Sequence, residues 1–180
     1  MAPAPAYEAA MITAIIETRN DEVPLAHALA ALVPAATEGV LRQVIVIDHG
    51  SRDGTLRVAD VAGCTVIKAS MGEGDPRRQA AEMARGDWLL LLSPAAPLPL
   101  DWQSGALAFI DRALVTGKAR SRVGTIHRGR ISSGWRGWLR SRLTRSDGWL
   151  LTKSAYLAAK ASSRPSSSVF RASDVRRGAA

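Results

Sequence analysis

Over its first 117 residues the chain alternates short unbroken apolar runs with stretches of helical periodicity, a rhythm that few folds accept. Met11 to Ile16, Val44 to Ile47, Thr65 to Lys68 and Trp88 to Leu92 read as strands. Val23 to Leu32, Thr55 to Ala62, Arg77 to Ala84 and Asp101 to about Val115 read as helices. A strand that is apolar at every position, not at every second one, must be covered on both faces. Strand-helix-strand repeats of this kind build a parallel sheet with helices above and below it. The fold class expected is therefore α/β, a Rossmann-like three-layer sandwich around a mostly parallel central sheet.

Composition limits the alternatives. A chain of 180 residues suits one core, and 47% hydrophobic residues are enough to fill it, which excludes disorder throughout. Cys64 is the single cysteine, so no intrachain disulfide forms, and its place before Thr65-Val66-Ile67 marks a buried thiol in a reducing compartment. The opening Met1-Ala2-Pro3-Ala4-Pro5-Ala6 has no basic n-region or long apolar h-region. The run Trp88 to Leu92 is far shorter than the roughly 20 residues that span a bilayer. A cytoplasmic protein, soluble or peripheral to a membrane, is the expectation. The net charge of +8 conceals a division: residues 1–117 carry 9 Lys/Arg against 14 Asp/Glu, and residues 118–180 carry 15 against 2. An anionic partner for the last third, or a basic surface kept for solubility, explains such a split equally well.

Ligands of parallel sheets sit beyond the carboxyl ends of the strands, so the segments that follow the strands are the place to look for chemistry. They are Glu17-Thr18-Arg19-Asn20-Asp21-Glu22, Asp48-His49-Gly50-Ser51-Arg52-Asp53-Gly54, Ser70-Met71-Gly72-Glu73-Gly74 and Ser93-Pro94-Ala95-Ala96. None is the Gly-x-Gly-x-x-Gly turn that lets a backbone approach a pyrophosphate, and none carries the Gly-Lys-Ser/Thr of a phosphate-binding loop. A carboxylate ending a strand, as Asp48 does, can accept hydrogen bonds from a base or a ribose hydroxyl. Gly50 and Gly54 permit tight turning, and Asp53 or Thr55 can cap the next helix, so the same run also reads as a capped turn. No His has a metal-ligand partner at a helical or finger spacing, and no metal site is proposed; His49 is placed to touch a nucleotide. Neither Ser51 nor Ser104 has the setting of a hydrolase nucleophile.

Three runs taken together are specific. Ile15 to Glu22, Val46-Ile47-Asp48-His49-Gly50-Ser51-Arg52-Asp53-Gly54-Thr55 and Ala84-Arg85-Gly86-Asp87-Trp88-Leu89-Leu90-Leu91-Leu92 resemble, in order and spacing, the successive signatures of family 2 glycosyltransferases. The resemblance implies a GT-A fold that binds a nucleoside diphosphate sugar and passes the sugar to an acceptor hydroxyl. It implies that Thr18, Asn20 and Glu22 flank the nucleotide, that Asp48 holds the base, and that Gly72 to Arg78, with Arg77 and Arg78, lie near it. Two departures stand out. Glu17 occupies a position where family members often carry Pro, and Ser93-Pro94-Ala95-Ala96 replaces the acidic Asp-x-Asp-like motif that holds Mg²⁺ or Mn²⁺ against the diphosphate. Without that cation, Arg77, Arg78 or the basic C-terminal third could stabilise the departing diphosphate; the alternative is that these arginines simply sit in solvent.

Residues 1–117 thus read as the nucleotide-sugar-binding α/β half, 118–161 as a basic acceptor-side part of the same domain, and 162–180 as a Ser/Arg-rich tail. Arg140 to Leu151 is similar to a stretch that precedes the acceptor side in some members, and Ser173-Asp174-Val175 resembles their Glu-Asp-Val element. That match makes Asp174 the general base for the acceptor hydroxyl. Trp135 and Trp138, on a helix expected from Trp135 to Arg142, either pack on the sheet or face anionic lipid, sugar or base. Three readings follow: an inverting transferase, a catalytically inactive GT-A-like domain that binds a nucleotide or a partner, and a basic surface for an anionic membrane, with nucleic acid the less favoured partner.

Overall fold

β1 (Ile12–Thr18), β2 (Leu41–Asp48), β3 (Thr65–Lys68) and β4 (Trp88–Leu92) form the parallel block that the sequence predicts, in the order β3-β2-β1-β4. The computed structural model describes residues 11–69, 74–95, 98, 102–117, 124–127, 130–132 and 148–158. Beyond β4 the sheet continues through three strands of the last third: β5 (Gly124–His127), β6 (Arg130–Ser132) and β7 (Gly148–Thr152). β7 lies antiparallel to β4, β5 antiparallel to β7, and β6 antiparallel to β5, so five of the seven strands run the same way. The sequence marks only Trp149-Leu150-Leu151 of these three. The expected helix Trp135 to Arg142 and the tail from Ser162 lie outside the described residues.

The unbroken apolar strands are explained by two cores, one on each face of the sheet. Ile12, Ala14 and Ile16 of β1, Trp88, Leu90 and Leu92 of β4, and Leu150 of β7 meet one set of helices. That set is α1 (Glu22–Thr37), α2 (Thr55–Val61) and α4 (Trp102–Val115). Ile15, Ile45, Ile47, Leu89, Trp149 and Leu151 point the other way, toward α3 (Pro76–Met83) and α5 (Lys153–Ala158). Burying both faces needs apolar side chains at odd and even positions alike, which is the sandwich the sequence anticipates. Trp102 anchors α4, its ring buried and its indole N–H donating to the Ala31 carbonyl at 3.0 Å, and Trp88 packs edge-on against Phe109 with centroids 6.1 Å apart.

α1 runs five residues past the predicted Leu32. It carries Pro34 in its last turn at the expense of one i→i−4 backbone bond, and the Thr37 hydroxyl donates to the Pro34 carbonyl at 2.8 Å. Gly39, at φ +75°, then ends it in the left-handed conformation.

Candidate functional site

The crossovers reverse direction between β1 and β4. From β1 the chain moves through α1 to β2 and through α2 to β3, then returns by α3 on the opposite face to β4. The crevice at such a switch point is where an open α/β sheet receives its ligand. Ile16 pairs with Leu92, the last residue of β4, so Glu17 and Thr18 overhang that crevice. On the far side Thr18 aligns with Asp48, and Asp48 with Lys68.

Most of the residues singled out in the sequence build the rim of this crevice. Asp48, 3% exposed, accepts hydrogen bonds from the Gly50 and Ser51 amides at 3.1 to 3.2 Å and from the Ser51 hydroxyl. Gly50 turns at φ +81°, a conformation that suits glycine. Ser51 in turn accepts from the Asn20 amide at 2.9 Å, and the Asn20 side-chain oxygen accepts from the Arg52 amide at 2.7 Å. Asn20 is in the left-handed region at φ 56°, where Asn is tolerated better than most side chains. Glu22 accepts from the Gly54 amide at 3.0 Å, while Asp53 accepts from the Glu22 amide at 3.2 Å and from the amide of Thr55, the first residue of α2, at 3.0 Å; Gly54, not Asp53 or Thr55, is the N-cap of that helix. The Thr55 hydroxyl, ahead of smaller contributions from backbone amides, holds the Asp53 carboxyl below its ordinary range. Thr18 is buried, its hydroxyl 3.4 Å from the Ile47 carbonyl. The two loops after β1 and β2 are thus tied into one unit by the polar groups of Asn20, Glu22, Ser51 and Asp53.

The groups that meet in the crevice itself are Glu17, Arg77 and His49. Arg77 enters from the first turn of α3, held by Asp75, whose carboxylate accepts from the Arg77 amide at 3.0 Å. Its guanidinium donates to both oxygens of Glu17, through Nε and through Nη2, the latter at 3.0 Å. His49 Nε2 lies 3.0 Å from the same carboxylate. Burial disfavours the charged guanidinium, but the bond and charge of Glu17, with smaller help from Tyr156 and Asp75, more than offset this and raise the Arg77 pKa. Tyr156 of α5 packs nearby, and burial, reinforced by Asp75, pushes its phenol well above its ordinary value. Arg78 turns along α3 instead, pairing with Glu82 at 3.0 Å and reaching the Leu157 carbonyl at 3.4 Å.

Gly72 and Asp174 lie outside the described residues. Glu17 is the central residue that the sequence analysis left without a role. Its one signal was the departure from Pro at that position, whose meaning rests on a contact 60 residues away. β4 is followed by Ser93, Pro94 and Ala95, and among the described residues no three His, Cys, Asp or Glu come together in a way that holds a metal ion. No helix among those residues is long and apolar enough to cross a membrane.

A family profile described as Glycosyl transferase family 2 matches residues 13–155. No curated protein sequence matches the chain. Among solved structures, it is similar to glucosyl-3-phosphoglycerate synthase from Mycobacterium tuberculosis in complex with uridine diphosphate, at 16% identity and a TM-score of 0.60, over 86% of this chain and 60% of that one. The same synthase with Mn²⁺, uridine diphosphate and glucosyl-3-phosphoglycerate gives 16% and 0.61, with the same coverage. With Mn²⁺, uridine-diphosphate-glucose and phosphoglyceric acid it gives 15% and 0.59, again with that coverage. The chain therefore spans about 60% of the length of these structures.

Proposed function

The chain belongs to glycosyltransferase family 2, with a GT-A fold, and from that membership we propose that it transfers a sugar from a nucleoside diphosphate sugar to an acceptor hydroxyl. The observation that carries the reading is the enclosed guanidinium of Arg77 at the switch-point crevice, a cation aimed where a sheet of this kind receives its ligand. In this reading Thr18, Asn20 and Glu22 set the shape of the nucleotide rim. Asp48 fixes its own loop, each oxygen accepting two bonds from Gly50 and Ser51, so a base N–H would share the position that the Ser51 amide divides between the two oxygens. Gly72 and Arg77 border the diphosphate, and Arg78 would join them only by leaving Glu82.

Residues present after β4 do not fit the family's divalent cation, because serine, proline and alanine offer no carboxylate there. We therefore read donor binding as independent of metal, with arginine taking the diphosphate charge. Asp174 is the proposed base: it takes the proton of the acceptor hydroxyl as that oxygen bonds to the anomeric carbon and the nucleoside diphosphate leaves. The +13 of residues 118–180 suits an anionic acceptor, and peripheral contact with an anionic membrane would draw on the same charge. A cytoplasmic location accords with the single unpaired cysteine.

Thermal shift with UDP, GDP and their sugars, each with and without Mn²⁺, tests the donor site. Stabilisation by one nucleotide that is indifferent to Mn²⁺ is expected; a flat response to every nucleotide would overturn the reading. For Asp174→Asn we expect no transfer and unaltered nucleotide binding. Binding without transfer in the unaltered chain would instead mark a domain that acts by binding alone.

A further inference from the structure

The crevice already contains an anion, and that anion belongs to the chain. Glu17 projects from the end of β1 on the α3 face and gathers two nitrogens of Arg77 and the ring nitrogen of His49. A planar guanidinium that donates through two N–H groups binds carboxylate and phosphate in the same fork, so the partner that satisfies Arg77 here is chemically interchangeable with a phosphate group. The three side chains differ in freedom. Arg77 is the most enclosed, at 18% exposed, with its amide tied to Asp75; Glu17 is 32% exposed and His49 39%. Exchange therefore moves Glu17 outward into solvent and leaves Arg77 where it is.

We propose that Arg77 and His49 form a diphosphate clamp whose resident occupant is Glu17, and that a ligand's phosphate binds by displacing this carboxylate. The inference rests on the nucleotide-sugar reading of the crevice and adds to it how the anion enters. A diphosphate and Glu17 cannot both keep the Nε/Nη2 edge of Arg77, because both are anions that need the same two donors and like charges at contact distance repel. The Arg77–Glu17 pair is thus balanced in charge and closed until a ligand opens it. Glu17 sets the affinity: the free-energy cost of breaking the internal pair is subtracted from what the ligand gains.

The experiment compares binding of inorganic pyrophosphate and of UDP, without metal, to the unaltered chain, to Glu17→Gln and to Glu17→Gln/Arg77→Ala, by calorimetry. Circular dichroism confirms that each variant is folded, and Glu17→Ala serves if Glu17→Gln is not. Removing the competing charge is expected to tighten both ligands by about 5-fold to 150-fold, the span of typical coupling free energies between two binding events. Loss of that gain in the double variant assigns it to Arg77 and separates it from diffuse attraction to the basic third. Equal or weaker binding to Glu17→Gln would overturn the proposal, since Glu17 would then be positioning Arg77 for the ligand. UDP binding without a gain sinks the clamp and leaves the nucleotide reading standing. A gain for pyrophosphate with no UDP binding keeps the clamp and sinks the nucleotide reading, and no binding of either removes both.

Discussion

A carboxylate that ends a strand can serve a ligand or its own loop, and at Asp48 the loop takes most of its acceptor capacity. Asp48→Ala would leave the Gly50 and Ser51 amides and the Ser51 hydroxyl without their acceptor. Unfolding in urea should then show a loss of about 1–3 kcal/mol in the ligand-free protein, the range for a part-buried polar group that loses its partner. Undiminished stability would mean that the carboxylate does not hold the loop. The position of Asp48, Asn20 and Glu22 at the crevice was legible in sequence, because strand ends and turn residues can be read locally. Their division of labour was not, since it depends on hydrogen bonds between loops about 30 residues apart. Glu17 was illegible for the same reason. Cys64 gives a second test at this scale. Burial pushes its thiol from 9.0 up to about 11. A raised folded-state pKa contributes stability that is complete below the unfolded value and is lost as pH rises, so the urea midpoint should fall between pH 9 and 11. Cys64→Ala should lose less over that window, and parallel curves for the two proteins would contradict the assignment.

At the scale of elements, the strands and helices through α4 were readable because each carries its own periodicity and its own stops. Boundary differences are a few residues, and the largest, at α1, arises because the helix continues through Pro34 instead of stopping before it. β5 and β6 have four and three residues, too short for periodicity to register, and β7 shows in sequence only as the short apolar run Trp149-Leu150-Leu151, whose extent and direction come from its partners β4 and β5. Gly86 shows how a turn between elements can be as specific as a core. Its amide donates to the buried Thr13 hydroxyl at 2.9 Å, and an added Cβ would stand 2.3 Å from the Met11 carbonyl oxygen and 2.8 Å from the Thr13 nitrogen. Both are backbone atoms of the central strand and its approach, so a rotamer change gives no relief. Gly86→Ala should cost about 2–3 kcal/mol, in the upper part of what overpacking usually costs, measured as a shift in the denaturation midpoint at constant slope. A cost under 0.5 kcal/mol would show that the entry to β4 yields more readily than its packing implies.

For the molecule as a whole, charge and fold divide the chain in different places. The acidic and basic portions change over at residue 117, which invites a view of the first part as a unit able to stand alone. The sheet contradicts that independence. β7 lies between β4 and β5, pairing with all five residues of β4, and its Trp149, Leu150 and Leu151 are shared between the two cores. Without β7, the Trp88 to Leu92 strand becomes an exposed, strongly apolar sheet edge, the kind of surface that recruits other chains. The second core also loses Tyr156 and Ala155, which pack with α3, the helix that carries Arg77. A fragment of residues 1–117 should therefore show no cooperative thermal transition and should aggregate at micromolar concentration, while the full chain melts in one step. A fragment that stayed monomeric and unfolded cooperatively would show that the parallel block is self-sufficient, and that the basic third is an addition to the donor half rather than one wall of its core.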